Sequence, residues 1–181
     1  MRQEPFLSAP YVHRNNEPKY HAMLLRAVEE AKRGHGGPKH VLWIRAEDSL
    51  HNPKEIGKTE EAIKKKLNRF LQYHDQKTSG IPGLLPLYVD MRARAIEKLA
   101  KGKSITILKH TPCRIVGWDL QPGDRERSDG SERLLDRAPR CIYLHFEGAS
   151  WRVHQKLAPG FFPLKPVTRE WTVDEATWGQ S

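Results

Sequence analysis

Apolar and polar positions alternate along this chain in two different periods. The first third carries helical spacing and the remainder carries short, strand-like runs. Tyr20, Leu24, Ala27, Val28 and Ala31 recur at i, i+3, i+4 and i+7 intervals, which predicts an amphipathic helix. Asn16 is its N-cap, with Pro18 in the first turn. Gly34, Gly36 and Gly37 end it. Tyr11-Val12-His13 before the helix and His40 to Ala46 after it read as strands. Strand, helix, strand predicts a parallel pair with a right-handed crossover.

A second helix is expected to start near Pro53, with Ile63, Leu67, Phe70, Leu71 and His74 on one face and Lys58, Lys64, Lys65, Lys66 and Arg69 largely elsewhere. A lysine run of this kind is a solvated helix face, and His74 reads as a core histidine. At Lys77-Thr78-Ser79-Gly80 turn formers replace helix formers, and the predicted domain boundary falls here. Leu84 to Ala95 is expected to contain a strand with a turn at Asp90. Ile96 to Lys101 is a helical turn or a loop. Ile105 to Leu108, Cys113 to Trp118 and Cys141 to Phe146 read as strands, with a weaker one at Trp151 to Val153. Phe161 to Leu164 precedes a last strand, Val167 to Val173. Gln121 to Arg140 is long, charged and broken by Pro122-Gly123-Asp124 and Asp129-Gly130. It is expected to be a mobile surface loop. Short strands with turn residues between them suggest a small barrel. The pattern therefore predicts an α/β lobe over residues 1–79 and a β-barrel over residues 80–181.

Composition narrows the partner more than the fold. The 181 residues are enough for one medium domain or two small ones. Lys and Arg number 31 against 22 Asp and Glu, a net charge of +9. That excess suits a polyanion, because each phosphate neutralised releases counterions; it also fits a basic protein with no such partner. The two cysteines, Cys113 and Cys141, lie in apolar runs with no CxxC, so buried thiols in a reducing compartment are expected. No run approaches the ~18 apolar residues of a membrane helix, and no secretory signal is evident at the N-terminus.

Catalytic motifs are decoys. Gly102-Lys103-Ser104 resembles the end of a phosphate-binding loop, but the glycine that the loop needs five residues earlier is Glu97. The 9 histidines form no H-E-x-x-H pair and no zinc spacing with cysteine. Ser8, His13 and Asp48 make a triad only on paper, since no G-x-S-x-G elbow supports it. Glu29-Glu30, Glu47-Asp48 and Glu60-Glu61 are paired carboxylates, two of them on helix faces where solvation is the default.

One family shares the order of segments. L-P-L-Y-V-D-M-R-A-R-A, a lysine-rich interval, C-R-I-V-G-W, R-C-I-Y-L-H-F-E-G and F-P-L-K-P-V-T-R-E-W-T-V-D together resemble the Pif-type, RecD-related superfamily 1 DNA helicases. There, a segment L-x-L-x-x-G-x-x-V-M, a G-x-V-x-G-F/W strand and a strand ending F-x-x-G build an SH3-like barrel inserted in the second RecA-like domain. The likeness covers most of residues 80–174 and, more loosely, 10–75. This chain carries Lys109-His110-Thr111-Pro112 where the family has an N-G-T-x-G turn. It lacks the Walker A loop, the Walker B strand, the glutamine- and threonine-containing motif and the arginine finger.

The resemblance therefore implies a helicase fragment or degenerate relative: a partial RecA-like α/β lobe followed by an SH3-like β-barrel. No ATPase activity is expected of this chain alone, and ATP and Mg would be expected only in a full-length helicase. No cofactor or metal site is expected here. The implied partner is single-stranded DNA or RNA, in an intracellular, nuclear or other DNA-containing compartment. Arg92, Arg94, Lys98, Lys101, Lys103 and Lys109 cluster in sequence at the start of the barrel, and Arg14 and Asn15 sit at a strand-to-helix turn suited to phosphate. The cluster reads equally as solvated charge. Trp118, Trp151 and Tyr143 are candidates for base stacking, with Trp118 favoured as barrel core. A protein-interaction module and a non-functional remnant remain as alternatives.

Overall fold

The structure, a computed structural model, describes residues 16–33, 39–49, 59–71, 73, 77–101, 105–124, 133–135 and 137–173. Helix α1 runs Asn16–Arg33. Ala27 and Ala31 are buried, and with Val41 and Tyr88 they form a small core. Two alanines one turn apart give the helix a smooth face that sits close to its neighbours. Tyr88 Oη donates to Glu30 Oε2 at 2.9 Å, and Lys39 N donates to Ala31 O at 2.8 Å. Together they tie both sides of the helix end to the strands. Helix α2 spans Glu60–Phe70, later than the Pro53 start expected. Thr59 caps it, its hydroxyl accepting from Ala62 N at 3.4 Å. Glu60 and Glu61 in the first turn and Arg69 in the last complement the helix dipole. Phe70 is buried and Ile63 and Leu67 half-buried, as the periodicity predicted. The expected strand at 11–13 and His74 lie outside the described residues.

Among the described residues nine strands form three sheets, β1 lying between the two helices in the chain and the others after them. They are β1 Leu42–Arg45, β2 Leu84–Leu87, β3 Arg92–Arg94, β4 Ala100–Lys101, β5 Thr106–Ile107, β6 Pro112–Asp119, β7 Arg133–Leu134, β8 Cys141–His145 and β9 Phe161–Leu164. In the first sheet β1 lies between antiparallel β2 and parallel β7, with Leu42 opposite both Leu87 and Arg133. Strands from before and after residue 80 thus share one sheet. In the second sheet β3, β6, β8 and β9 are neighbours in that order, all antiparallel. Strands β4 and β5 pair antiparallel; of the interval Ile96–Lys101, residues 96–99 are loop, one of the two readings, and Ala100–Lys101 is strand.

Three expectations need correction. The interval 121–140 is not loop throughout. β7 pairs with β1, Leu135 N donates to Trp43 O at 2.8 Å, and Leu135 is 1% exposed. Its apolar signal, Leu134-Leu135, is too short to show a period. The last strand is β9, not Val167–Val173. Residues 165–173 are instead held by side chains: Ser79 Oγ donates to Glu170 O at 2.8 Å, Arg169 pairs with Glu97 at 2.7 Å, and Trp171 packs edge-on to Phe70 at 4.9 Å. Trp151–Val153 is no strand either; Trp151 O accepts from Gly160 N at 2.9 Å across the loop between them.

The molecule is mixed helix and strand with small sheets. Among the described strands β3 and β9 are the edges of an open sheet and do not pair, so no closed barrel forms. The core joins Leu42, Leu87, Ile107, Cys113, Ile115, Leu135, Leu144 and Phe146. One face of the four-stranded sheet rests on this core. Its other face carries the alternates, Arg92, Arg114, Tyr143 and His145 together with Gly117, Phe161 and Pro163.

Candidate nucleic-acid interface

Period-two alternation sorts the four-stranded sheet. Ala93, Cys113, Ile115, Trp118, Ile142, Leu144, Phe162 and Leu164 belong to the core side. Their alternates make the opposite face. Register aligns four of these in a single row across the sheet: Arg92 opposite Arg114, Arg114 opposite His145, and His145 opposite Phe161. A second row holds Gly117, Tyr143 and Pro163. The register slips between Ile115 and Gly117, so Val116 is the extra residue of a bulge. Without it, Gly117 rather than Trp118 would face Ile142 and the core.

Cation and ring chemistry meet on this face. Arg92 and Arg94 are exposed and Arg114 is half-buried. Like charges directly opposite across an antiparallel pair are unfavourable, and among the described residues neither Arg92 nor Arg114 has a carboxylate within ion-pair distance. Asp90, in the turn before β3, is already paired: Lys39 Nζ is 2.6 Å from its Oδ2. That hydrogen bond, with the charges of Lys39 and Arg114, holds the Asp90 carboxyl below its ordinary value. The His145 and Phe161 rings are 4.9 Å apart at 40°. Tyr143 Oη donates to Asp119 Oδ2 at 2.7 Å. The hydrogen bond to the carboxylate, then desolvation and the negative charge, push the phenol up to about 12.

Sequence-predicted residues fall unevenly on this frame. Arg92 and Arg94 lie on the open face. Arg94 Nη1 also donates to His110 O at 3.3 Å, which brings the exposed Lys109–His110 turn beside β3. Lys98 is exposed in the segment leading to β4. Lys101 ends β4, and its side chain lies outside the described set, as do Lys103, Arg14 and Asn15 entirely. Of the candidate stacking residues, Tyr143 is on the open face. Trp118 packs on the core side, as favoured, and Trp151 leans on Phe146 at 5.7 Å. Arg114, His145 and Phe161 were not singled out from sequence, and Gly117 entered only through the C-R-I-V-G-W resemblance. Reading the alternates of C-R-I-V-G-W and C-I-Y-L-H as one face would have found Arg114 and His145.

Comparison with family models, with curated proteins and with solved structures returned no match.

Other chemistry is sparse among the described residues. No group of three or more His, Cys, Asp and Glu side chains is placed to hold a metal ion. No helix is long and apolar enough to cross a membrane. Burial pushes the Cys113 and Cys141 thiols up from their ordinary value, away from the reactive thiolate. A cleft of about 300 Å³ opens between Thr106, Thr111, Phe146, Gly148 and Trp151.

Proposed function

We propose that this chain binds single-stranded DNA or RNA on the open face of the β3–β6–β8–β9 sheet and hydrolyses no nucleotide by itself. The observation that carries it is the transverse row Arg92, Arg114, His145 and Phe161. Two guanidiniums at one end supply phosphate contacts, and a paired imidazole and phenyl ring at the other supply a stacking platform. Stacking on an aromatic side chain is worth about 1–3 kcal/mol per base. Bases of a duplex are turned inward, so a flat face of this kind favours an unpaired strand. Among the described residues neither arginine has a carboxylate within ion-pair distance, and a phosphate would relieve their mutual repulsion.

This reading agrees with the likeness to Pif-type helicases. In it, α1, β1 and α2 correspond to part of a RecA-like lobe and the antiparallel sheet to the SH3-like insert, within a nuclear or other DNA-containing compartment. A second reading, a protein-docking module, draws on Ile96 and Leu108, which are 69% and 56% exposed beside the β4–β5 pair. Fluorescence anisotropy with labelled single-stranded oligonucleotides tests the first. Binding at micromolar protein that weakens steeply with salt is expected. Absence of binding, or affinity indifferent to salt, overturns it, and a pull-down partner that survives nuclease treatment then favours docking.

A further inference from the structure

We infer that Gly117, Tyr143 and Asp119 form a base-reading subsite that prefers guanine; the inference rests on the nucleic-acid reading above. A Cβ built on Gly117 meets nothing within 4 Å, so the sheet floor is open at this point. Tyr143 stands opposite Gly117 in register, and its hydrogen bond to Asp119 Oδ2 at 2.7 Å sets the direction of the ring. Asp119 is the next alternate on the same strand and is exposed. A flat base laid on the Gly117 backbone therefore has an aromatic wall on one side and a carboxylate at its edge.

The carboxylate decides which base. Asp119 has about four acceptor sites and Tyr143 fills one, so it still accepts two hydrogens side by side. Guanine alone offers two adjacent donors on its pairing edge, N1–H and the N2 amino group. Adenine and cytosine offer one amino group beside a ring nitrogen acceptor that a carboxylate repels. Thymine and uracil present a single N–H between two carbonyls. On a face otherwise supplied with arginine, an anion at this position weakens backbone binding by repelling phosphate. Besides fixing the Tyr143 ring, the carboxylate has spare acceptor sites suited to reading a base.

The test is a competition series on the full chain, using an oligothymidine probe and three others in which two central thymidines are replaced by guanine, adenine or cytosine. The guanine oligomer is expected to bind roughly tenfold tighter, the size of one two-hydrogen-bond discrimination. Asp119→Asn removes a negative charge, so thymidine binding tightens while the guanine-to-thymidine ratio falls to about one. A merely structural role would weaken both. Gly117→Ala, whose Cβ meets nothing within 4 Å, lowers the same ratio by raising the floor. Equal affinity for all four oligomers, or an unchanged ratio in Asp119→Asn, overturns this inference and leaves strand binding standing. No binding by any oligomer overturns both.

Discussion

Tyr143 and Asp119 stand diagonally on adjacent strands, joined by a 2.7 Å hydrogen bond from phenol to carboxylate. The protonated phenol is the bonded form, so its folded pKa of about 12 exceeds the ordinary 10.0. The stabilisation is complete below the ordinary value and is lost as pH rises through the folded one. The ultraviolet difference between wild type and Tyr143→Phe isolates this phenol from the other tyrosines. It should ionise near 12, and Asp119→Ala should return it toward 10. A phenol in the wild type that ionises at the ordinary value contradicts the pairing.

The arginine pair across β3 and β6 should behave oppositely for folding and binding. Replacing Arg114 by Gln removes a like-charge opposition worth about 0.2–1 kcal/mol and, against it, the weakest of the attractions acting on Asp90, so thermal stability should hold or rise slightly. Binding to single strands should weaken, with the slope of log affinity against log salt shallower by about one. A variant that melts earlier yet binds unchanged refutes the placement of both residues.

Leu135 joins the interval after β6 to the core. Leu135→Ala should cost about 2–5 kcal/mol in denaturant unfolding, as for other fully buried leucines. An exposed-loop leucine would change stability by less than about 0.5 kcal/mol. The two outcomes separate a packed segment from the charged loop that composition suggests.

Gly160 adopts φ +75°, and a Cβ there would lie 2.6 Å from Phe146 O. That carbonyl neighbours the Phe146 N–H to Gly160 O bond at 2.9 Å, which continues the β8–β9 ladder. Gly160→Ala combines left-handed strain of about 1–2 kcal/mol with a backbone clash. A loss above about 2 kcal/mol is expected in the same unfolding measurement. Gly160→Asn, which tolerates the left-handed region better, should lose stability too, because the clash remains.

Helical spacing was legible where the chemistry is local; the caps were not, since Asn16 lies inside α1 and Thr59 caps α2. Ala27, Ala31, Ile63, Leu67 and Phe70 face inward as their period requires, and Asp90 turns the chain with φ 69°. What else sequence reading missed depends on long-range pairing. Nothing local in Arg133-Leu134 announces a parallel neighbour at Leu42-Trp43. Pro163 argues against a strand until its place is known. β9 is an edge, where a missing N–H breaks no ladder, and Phe161–Leu164 can therefore pair with β8. The candidate site divides in the same way. Arg92 and Arg94 were visible as charge, whereas Arg114, His145 and Phe161 join them only through cross-strand register.

The position of β1 between β2 and β7 sets an order of events during synthesis. A ribosome releases Leu42 and Trp43 long before Leu84 and well before Arg133. The nascent chain therefore carries an apolar strand with one unpaired flank until Leu135 emerges, an interval open to misassociation and chaperone engagement.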